Sequence, residues 1–200
     1  LKELTKKHQV TLICEKRDYQ TRNDVEEIAK FCQKVIAVPR IKQWTLLNIL
    51  KTGFSVFPFL MIGHTLPQMK KEISDQLRRN KYDLIHVETS YIMQNLPRTI
   101  MVRGLPPLVL AEQNIEYLVY KRFADQAPFF LKLPLFLDVM KIKYWEEKFW
   151  RKADQLVVTS EREKKIIGSG KVTVVPNGVD LNNFKFQISN FKFKNKEKIV

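Results

Sequence analysis

Short apolar runs alternate with amphipathic stretches along most of the 200 residues. Runs of valine, isoleucine and leucine favour buried strands, whereas apolar side chains that recur every three or four positions favour helices. The predicted strands lie at 9–14, 34–38, 83–87, 108–112, 155–158 and 171–175. Predicted helices lie between them, at about 23–32, 65–79, 91–96, 115–123, 134–152 and 161–167. This alternation predicts an α/β fold with a doubly wound, Rossmann-like parallel sheet.

The apolar faces of two helices are well defined in the sequence. In the helix at 65–79, Pro67 fits the first turn, and Met69 and Ile73 lie on one side. The long helix before the fifth strand is expected to start near Pro134, because proline is favoured in a first turn. Its aromatic and apolar stripe is predicted to face the core or an interface. The stripe consists of Phe136, Leu137, Met140 and Tyr144, and Trp145 and Phe149 extend it sideways.

The most apolar stretch of the chain is 44–63, which has nominally the length of a membrane span. Lys51 and Pro58 interrupt it, so we expect two short segments and no spanning helix. Core packing is one interpretation of these segments. The other is contact with the headgroup layer of a membrane, made by Trp44, Phe54, Phe57 and Phe59 beside basic residues.

Composition adds a strong positive charge to this picture. The chain has 35 Lys and Arg against 21 Asp and Glu, a net charge of +14, which indicates an acidic substrate, polymer or surface as partner. An anionic membrane surface or a phosphate-bearing substrate fits this charge. Nucleic acid is disfavoured because no recognition helix, RNP-type strand or zinc knuckle accompanies the basic residues. Cys14 and Cys32 form no CxxC pair, so the sequence predicts no metal site and a reduced, cytoplasmic chain.

Polar residues follow the third predicted strand at its carboxyl end, the edge where open α/β sheets bind ligands. Glu88, Thr89 and Ser90 are therefore candidates to hydrogen-bond an acceptor hydroxyl. The alternative is that Thr89 or Ser90 only caps the helix at 91–96. His86 lies within the strand itself, which favours a core histidine over a ligand or a base.

A second polar corner, Gln113-Asn114, follows the fourth strand and opens an amphipathic helix. Asn114 and Glu116 have two interpretations. They can provide the capping and first-turn charge that helix N-termini favour, or they can face a cleft in which the helix N-terminus attracts phosphate. Gln113 cannot exchange protons at neutral pH, although its amide can orient a hydroxyl.

The last well-patterned region contains a strand at 155–158, a Thr159 or Ser160 cap, a short helix ending at Gly168 and another strand. Pro176, Asn177 and Gly178 end that last strand, and they predict a sharp turn because Asn and Gly tolerate positive φ. Val179 and Asp180 follow the predicted turn.

Together these spaced motifs resemble the N-terminal domain of family 4 glycosyltransferases, which have the two-domain GT-B fold. The resemblance covers residues 1–184 and is densest at 82–122 and 153–180. Asn114 and Glu116 match the family pattern, whereas Gln113 stands where the family usually has histidine. Asn177, Gly178 and Asp180 match the hinge that faces the donor.

The resemblance implies an acceptor-side domain at 1–184 whose first strand and glycine-rich loop would precede Leu1. It implies that 185–200 is a basic connector leading into a donor-binding domain. The family transfers sugar with retention of configuration from a nucleotide-diphosphate sugar, a substrate and not a cofactor, to a glycan or lipid-linked acceptor. No metal is obligatory. These residues alone are expected to be inactive, and cell-surface polysaccharide synthesis on the inner face of the plasma membrane is the expected setting.

A non-catalytic Rossmann-like module that docks on an anionic membrane or a partner protein is the competing interpretation. Gln113 and the basic connector favour it, and the hinge motif disfavours it. Neither paired glycosidase-type carboxylates nor a nucleophile–histidine pair is evident in the sequence. The oligomeric state is left open.

Overall fold

The computed structural model describes residues 1–97, 106–168 and 170–178. Within those residues the chain has six strands, seven α-helices and two short 3₁₀ helices, Leu4–Lys6 and Ser90–Asn95. The strands are β1 Thr11–Lys16, β2 Lys34–Pro39, β3 Ile85–Glu88, β4 Leu108–Glu112, β5 Gln155–Val158 and β6 Val172–Val174. The α-helices are α1 Arg22–Ala29, α2 Leu46–Phe54, α3 Phe59–Gly63, α4 Pro67–Arg79, α5 Glu116–Gln126, α6 Phe129–Lys152 and α7 Glu161–Ile167.

Every strand pairing in the described residues is parallel, which confirms the α/β, Rossmann-like class. β1 pairs with β2, and β3, β4, β5 and β6 form a second sheet in that order. The register places Glu88 opposite Ala111 and Glu112 opposite Val158, so the carboxyl ends of β3, β4 and β5 lie along one edge. Parallel strands need crossover connections, and helices provide most of them here.

The main core lies on the four-stranded sheet, where Leu110, Leu156 and Val158 are fully buried. Phe149 and Trp150 of α6 cover them, and Met93 packs beside them. A smaller core joins Val38 of β2 to Leu66 and Met69 at the start of α4. Ile73 and Ile92 pack against both cores and so connect the two sheets.

Local signals placed several helix ends correctly. Ser160 caps α7 in a capping box with Glu163, and Gly168 ends the helix in the left-handed conformation with φ 66°. α4 has Pro67 at its start, as the pattern predicts. The stretch at 44–63 divides into α2 and α3, and no described helix has the length and hydropathy that crossing a membrane requires.

The long helix starts earlier than predicted. α6 begins at Phe129, so Pro134 lies inside its second turn and not at its start. A proline at this position removes one intrahelical hydrogen bond, because it has no N–H to donate to the preceding turn. In the predicted aromatic stripe, Phe149 lies in the core and Trp145 packs against it, as expected. Phe136, Leu137, Met140 and Tyr144 are exposed and do not face the core. The buried residues of α6 are Val139, Ile142, Glu146, Phe149 and Trp150.

Candidate functional site

The predicted acceptor residue Glu88 and the predicted cleft residue Gln113 lie in contact at the carboxyl ends of β3 and β4. Gln113 Nε2 donates a hydrogen bond to Glu88 Oε2 at 3.3 Å, and His86 Nε2 lies 3.0 Å from Glu88 Oε1. Hydrogen bonding by His86, with a smaller effect from Gln113, lowers the pKa of Glu88. The side chain is therefore an ionised hydrogen-bond acceptor at this edge of the sheet.

Thr89 has a backbone conformation that β-branched residues rarely adopt. Its φ of 73° makes it the one non-glycine residue with positive φ in the described parts of the chain. Its N–H bonds Ala111 O at 2.8 Å and continues the β3–β4 ladder, so the neighbouring sheet holds this conformation. The Thr89 hydroxyl is buried without a well-formed hydrogen bond to the described residues, although it interacts with the Tyr91 phenol. Strained residues of this kind cluster at ligand sites.

Ser90 leads from β3 to a buried carboxylate on β4. Its backbone N–H donates to Glu112 Oε2 at 3.2 Å, and Trp150 Nε1 of α6 donates to Glu112 Oε1 at 3.0 Å. Glu112 is only 1% exposed, and this burial raises its pKa to about 7, with Glu116 adding to the rise. The carboxyl group therefore joins the end of β4 to two other elements, the 3₁₀ helix that begins at Ser90 and helix α6.

A second buried carboxylate, Glu146 of α6, accepts the first backbone N–H groups of α5. Glu116 N donates to Oε1 at 2.7 Å and Tyr117 N donates to Oε2 at 3.1 Å. Burial, followed by the nearby Glu112 charge, raises the pKa of Glu146 to about 8. A small cavity of about 10 Å³ lies beside these groups, and its polar lining comes from Ser90, Tyr91, Glu116 and Glu146.

The carboxyl ends of β1 and β2 contribute a third polar group to the structure. His64 Nδ1 lies 2.8 Å from Glu15 Oε1, and Arg40 Nη2 lies 3.1 Å from His64 Nε2. Arg40 Nε is 3.6 Å from Glu15 Oε2, and the Tyr91 ring packs on His64 with centroids 4.6 Å apart. Tyr91 therefore connects this group to the Thr89 segment.

The structure corrects the interpretation of several predicted residues. His86 is exposed on the edge strand β3, so it is not a core histidine. Thr89 stands at the N-cap position of the 3₁₀ helix Ser90–Asn95, but its side chain makes no capping hydrogen bond, and Ser90 is the first residue of that helix. Ile115 is the N-cap of α5, so Asn114 does not have the capping role, and Glu116 is the first helical residue.

The predicted hinge residues are not joined to this site by any described contact. Asn177 and Gly178 are exposed beyond β6, and neither has positive φ. Asp180 lies outside the described residues.

The sequence patterns did not reveal the buried residues His64, Glu112 and Glu146 or the half-buried Glu15. A signal for Glu146 was present, because Ile142, Glu146, Phe149 and Trp150 have i, i+4, i+7, i+8 spacing on one helical face. Glu112 ends an apolar strand, which also pointed to burial at the ligand edge. His64 and Glu15 had no local signal, since 49 residues separate them.

In the described residues, no group of three or more His, Cys, Asp or Glu side chains is arranged to hold a metal ion. Cys14 is half-buried and Cys32 is buried, and both are free thiols.

Comparison with protein families gives one finding that bears on this edge of the sheet. The family model described as Glycosyltransferase Family 4 matches residues 1–183. Comparison with curated proteins and with solved structures found no significant match. The matched range includes Glu88, Thr89, Ser90 and the Gln113–Glu116 corner, and also the hinge residues Asn177, Gly178 and Asp180.

Proposed function

The chain belongs to glycosyltransferase family 4, and from that premise we propose that residues 1–184 form the acceptor-side domain of a retaining glycosyltransferase. The sugar comes from a nucleotide-diphosphate donor and is transferred to a hydroxyl of a glycan or lipid-linked acceptor. The process we propose is cell-surface polysaccharide synthesis on the cytoplasmic side of the plasma membrane. The observation that carries the proposal is the contact between Glu88 and Gln113 at the ligand edge of the sheet.

In this proposal Glu88, Thr89 and Ser90 bind the acceptor. Glu88 accepts a hydrogen bond from a sugar hydroxyl, and its hydrogen bonds to His86 and Gln113 fix the carboxylate for that purpose. The Thr89 hydroxyl lies close by in the sequence, buried and with only the Tyr91 phenol as a partner, so its hydrogen-bonding capacity is not filled. Gln113 orients a hydroxyl or phosphate through its amide. The amide does not gain or lose a proton near neutral pH, so we assign Gln113 no acid–base step.

The N-terminus of α5 supports the proposed site electrostatically. Glu146 already bonds the N–H groups of Glu116 and Tyr117, so those two donors are engaged within the protein. The remaining helix dipole and the Gln113-Asn114 corner are available to favour a phosphate group of the substrate. Donor binding and stabilisation of the leaving diphosphate are assigned to a second domain, approached through Asn177, Gly178 and Asp180, and no metal or cofactor is required.

Binding of acceptor glycans to the purified 200-residue chain tests the acceptor assignment. In an NMR titration with lipid-free glycan acceptors, the resonances of Glu88, Thr89, Ser90 and Gln113 should shift more than those of Glu161 and Glu163 in α7. Shifts confined to α7, or none in any glycan, would count against the site.

A transfer assay tests the division into domains. With radiolabelled nucleotide-diphosphate sugars and the same acceptors, residues 1–200 alone should produce no glycoside. Sugar transfer above background would show that the catalytic site is complete within these residues, and so would overturn the acceptor-side proposal.

The second candidate is a non-catalytic Rossmann-like module that binds a partner. The observation that favours it is Gln113, which replaces a proton-exchanging histidine with an amide. Failure of every glycan and every nucleotide-sugar to bind the chain would support this candidate over sugar transfer.

A further inference from the structure

The described part of the chain exposes a large apolar surface on the side formed by α2 and α6. On and beside α2, Phe54 is 93% exposed and Trp44 is 79% exposed. On α6, Phe129 is 86% exposed. Other large apolar side chains exposed with them are Leu46, Leu47, Leu50, Phe130, Leu133 and Phe136. Groups of neighbouring, exposed apolar side chains mark interaction sites in soluble proteins.

These residues belong to one surface because the segment containing α2 is bonded to α6 at several points. Lys141 Nζ donates to Thr52 O at 2.6 Å, and Trp145 Nε1 donates to Val56 O at 2.9 Å. The Phe57 ring stacks on Trp145 with centroids 4.8 Å apart. We refer to the exposed apolar residues of 44–57 and 129–140 as the α2–α6 surface.

The α2 end of this surface is also tied to α6 through α3. Phe59 N donates to Asp138 Oδ1 at 2.9 Å, and the Phe59 ring packs against Trp44 with centroids 4.7 Å apart. The carboxylate of Asp138 is thereby used inside the protein, at the N-terminus of α3. Its negative charge is partly buried and does not face a partner.

The two helical segments themselves carry charge of almost one sign. The acid beside them from the neighbouring helix α5 is Asp125, which lines a pocket with Lys132 and Phe136 and is paired with Lys121 at 2.7 Å. Residues 28–71 contain no Asp or Glu, and residues 126–145 contain only Asp138. Lys42, Lys51 and Lys132 are exposed on these segments, and no ion pair engages them in the described residues. Exposed aromatic and leucine side chains bordered by unpaired lysines are typical of helices that lie in a membrane interface.

We propose that the α2–α6 surface docks on an anionic lipid bilayer, with Trp44, Phe54, Phe129 and Phe130 in the headgroup region. Lys51 and Lys132 contact lipid phosphates on either side. Charge complementarity selects this occupant, because a second copy of the chain would place the same lysines against one another. Residues 181–200, with five lysines against Glu197, carry the same sign and are equally unsuited to cover it.

This inference does not depend on sugar transfer, so the two proposals fail separately. The membrane contact expected from the sequence for 44–63 is here extended to the first half of α6, whose apolar stripe was expected to face the core or an interface. Docking through these two helices would keep the protein on the membrane without a spanning segment.

Co-sedimentation with vesicles tests the proposal on the purified chain. Vesicles of phosphatidylglycerol and phosphatidylcholine in equal parts should bind it, and pure phosphatidylcholine vesicles should bind it far less. Since each lysine near an anionic surface contributes about fivefold to binding, the charge reversals K51E and K132E should each weaken binding by more than that factor. High salt should weaken it in the same direction.

The double variant F129S/F130S separates apolar insertion from charge attraction. It should bind phosphatidylglycerol vesicles at least tenfold more weakly than wild type, with unchanged circular dichroism, because both rings are exposed. The matched control Y19S/F31S removes two exposed rings outside the surface and should bind as wild type does.

Two results would overturn the proposal. The first is no vesicle binding by the wild-type chain, and the second is equal binding by F129S/F130S and wild type. If vesicle binding is absent and F129S/F130S abolishes a concentration-dependent self-association, the surface belongs to a second copy of the chain.

Discussion

Glu146 of α6 and Glu116 of α5 are joined by a hydrogen bond of 2.7 Å, although 30 residues separate them. Glu146 thus acts as the N-terminal cap that α5 lacks in its own sequence, since its N-cap residue Ile115 has no capping side chain. The bond fixes the corner containing Gln113 and Asn114 relative to α6. Because α6 provides the cap, the corner residues are not needed for capping, and the Gln113 amide instead donates to Glu88.

Replacing Glu146 by alanine should destabilise the protein by about 2 kcal/mol. The substitution leaves the Glu116 and Tyr117 N–H groups without a partner in a largely buried place, and such losses cost about 1–3 kcal/mol. Urea unfolding gives the measurement. The matched control is E147A, the next residue, whose exposed pairing with Lys143 at 3.8 Å should contribute less than about 1 kcal/mol. Equal losses in the two variants would contradict the capping role.

The buried carboxyls Glu112 and Glu146 should make the protein less stable as pH rises from about 4.5 to about 8. Burial raises their pKa values to about 7 and about 8, so the folded state binds protons that the unfolded state has already lost. Below that window both states are protonated, and the contribution is fully present. Each proton that differs between the states changes the free energy of unfolding by about 1.4 kcal/mol per pH unit.

Thermal unfolding of E112Q across pH 5 to 8 isolates this effect. Trp150 Nε1 and Ser90 N donate to different oxygens of Glu112, and glutamine keeps only one of these acceptors, so E112Q should be less stable than wild type at pH 5. Because glutamine cannot titrate, the variant should nevertheless lose less stability than wild type as pH rises. E147Q, altered on the same helix as Glu146, should follow wild type. Parallel curves for wild type and E112Q would show that Glu112 does not carry the pH dependence.

Substituting Thr89 by glycine should raise the free energy of unfolding by about 1 kcal/mol. Positive φ at a β-branched residue costs roughly 1–3 kcal/mol. Glycine removes this strain, and the greater backbone entropy of glycine in the unfolded state costs less, roughly 0.5–1 kcal/mol. T11G, in the ordinary extended backbone of β1, should instead destabilise the protein. If Thr89 also binds acceptor, T89G will combine greater stability with weaker glycan binding, and calorimetry measures both.

Glu88 should matter for acceptor binding more than for folding. E88Q should weaken glycan binding by about tenfold, because hydrogen bonds to charged groups contribute about 1.5–3 kcal/mol and neutral ones less. Its melting temperature should change little, since the side chain is well exposed at the sheet edge. Isothermal titration of E88Q beside E161Q, an exposed acid of α7, makes the comparison. Unaltered affinity in E88Q would remove Glu88 from the site.

Local sequence signals predicted the succession of strands and helices along the chain and many helix ends, because the atoms involved are close along the chain. The Ser160 and Glu163 capping box, the Gly168 ending and the start of α4 at Pro67 depend only on neighbouring backbone groups. Parallel pairing followed from the alternation of strands with helices. That alternation also placed Glu88 and Gln113 at one edge, where the structure brings them into contact.

Tertiary packing decided which polar groups are buried and which apolar groups are exposed. Helical spacing grouped Phe136, Leu137, Met140 and Tyr144 on α6 but could not decide between the core and an interface, because spacing defines a face and not the partner that covers it. Glu146 reaches α5, and His64 reaches Glu15, only after distant elements have packed. The sequence alone thus determined the secondary structure and its parallel arrangement through short-range hydrogen bonding and periodicity. Long-range packing determined the buried acids, the strained Thr89 and the exposed α2–α6 surface, because no local pattern specifies a neighbour that is far away along the chain.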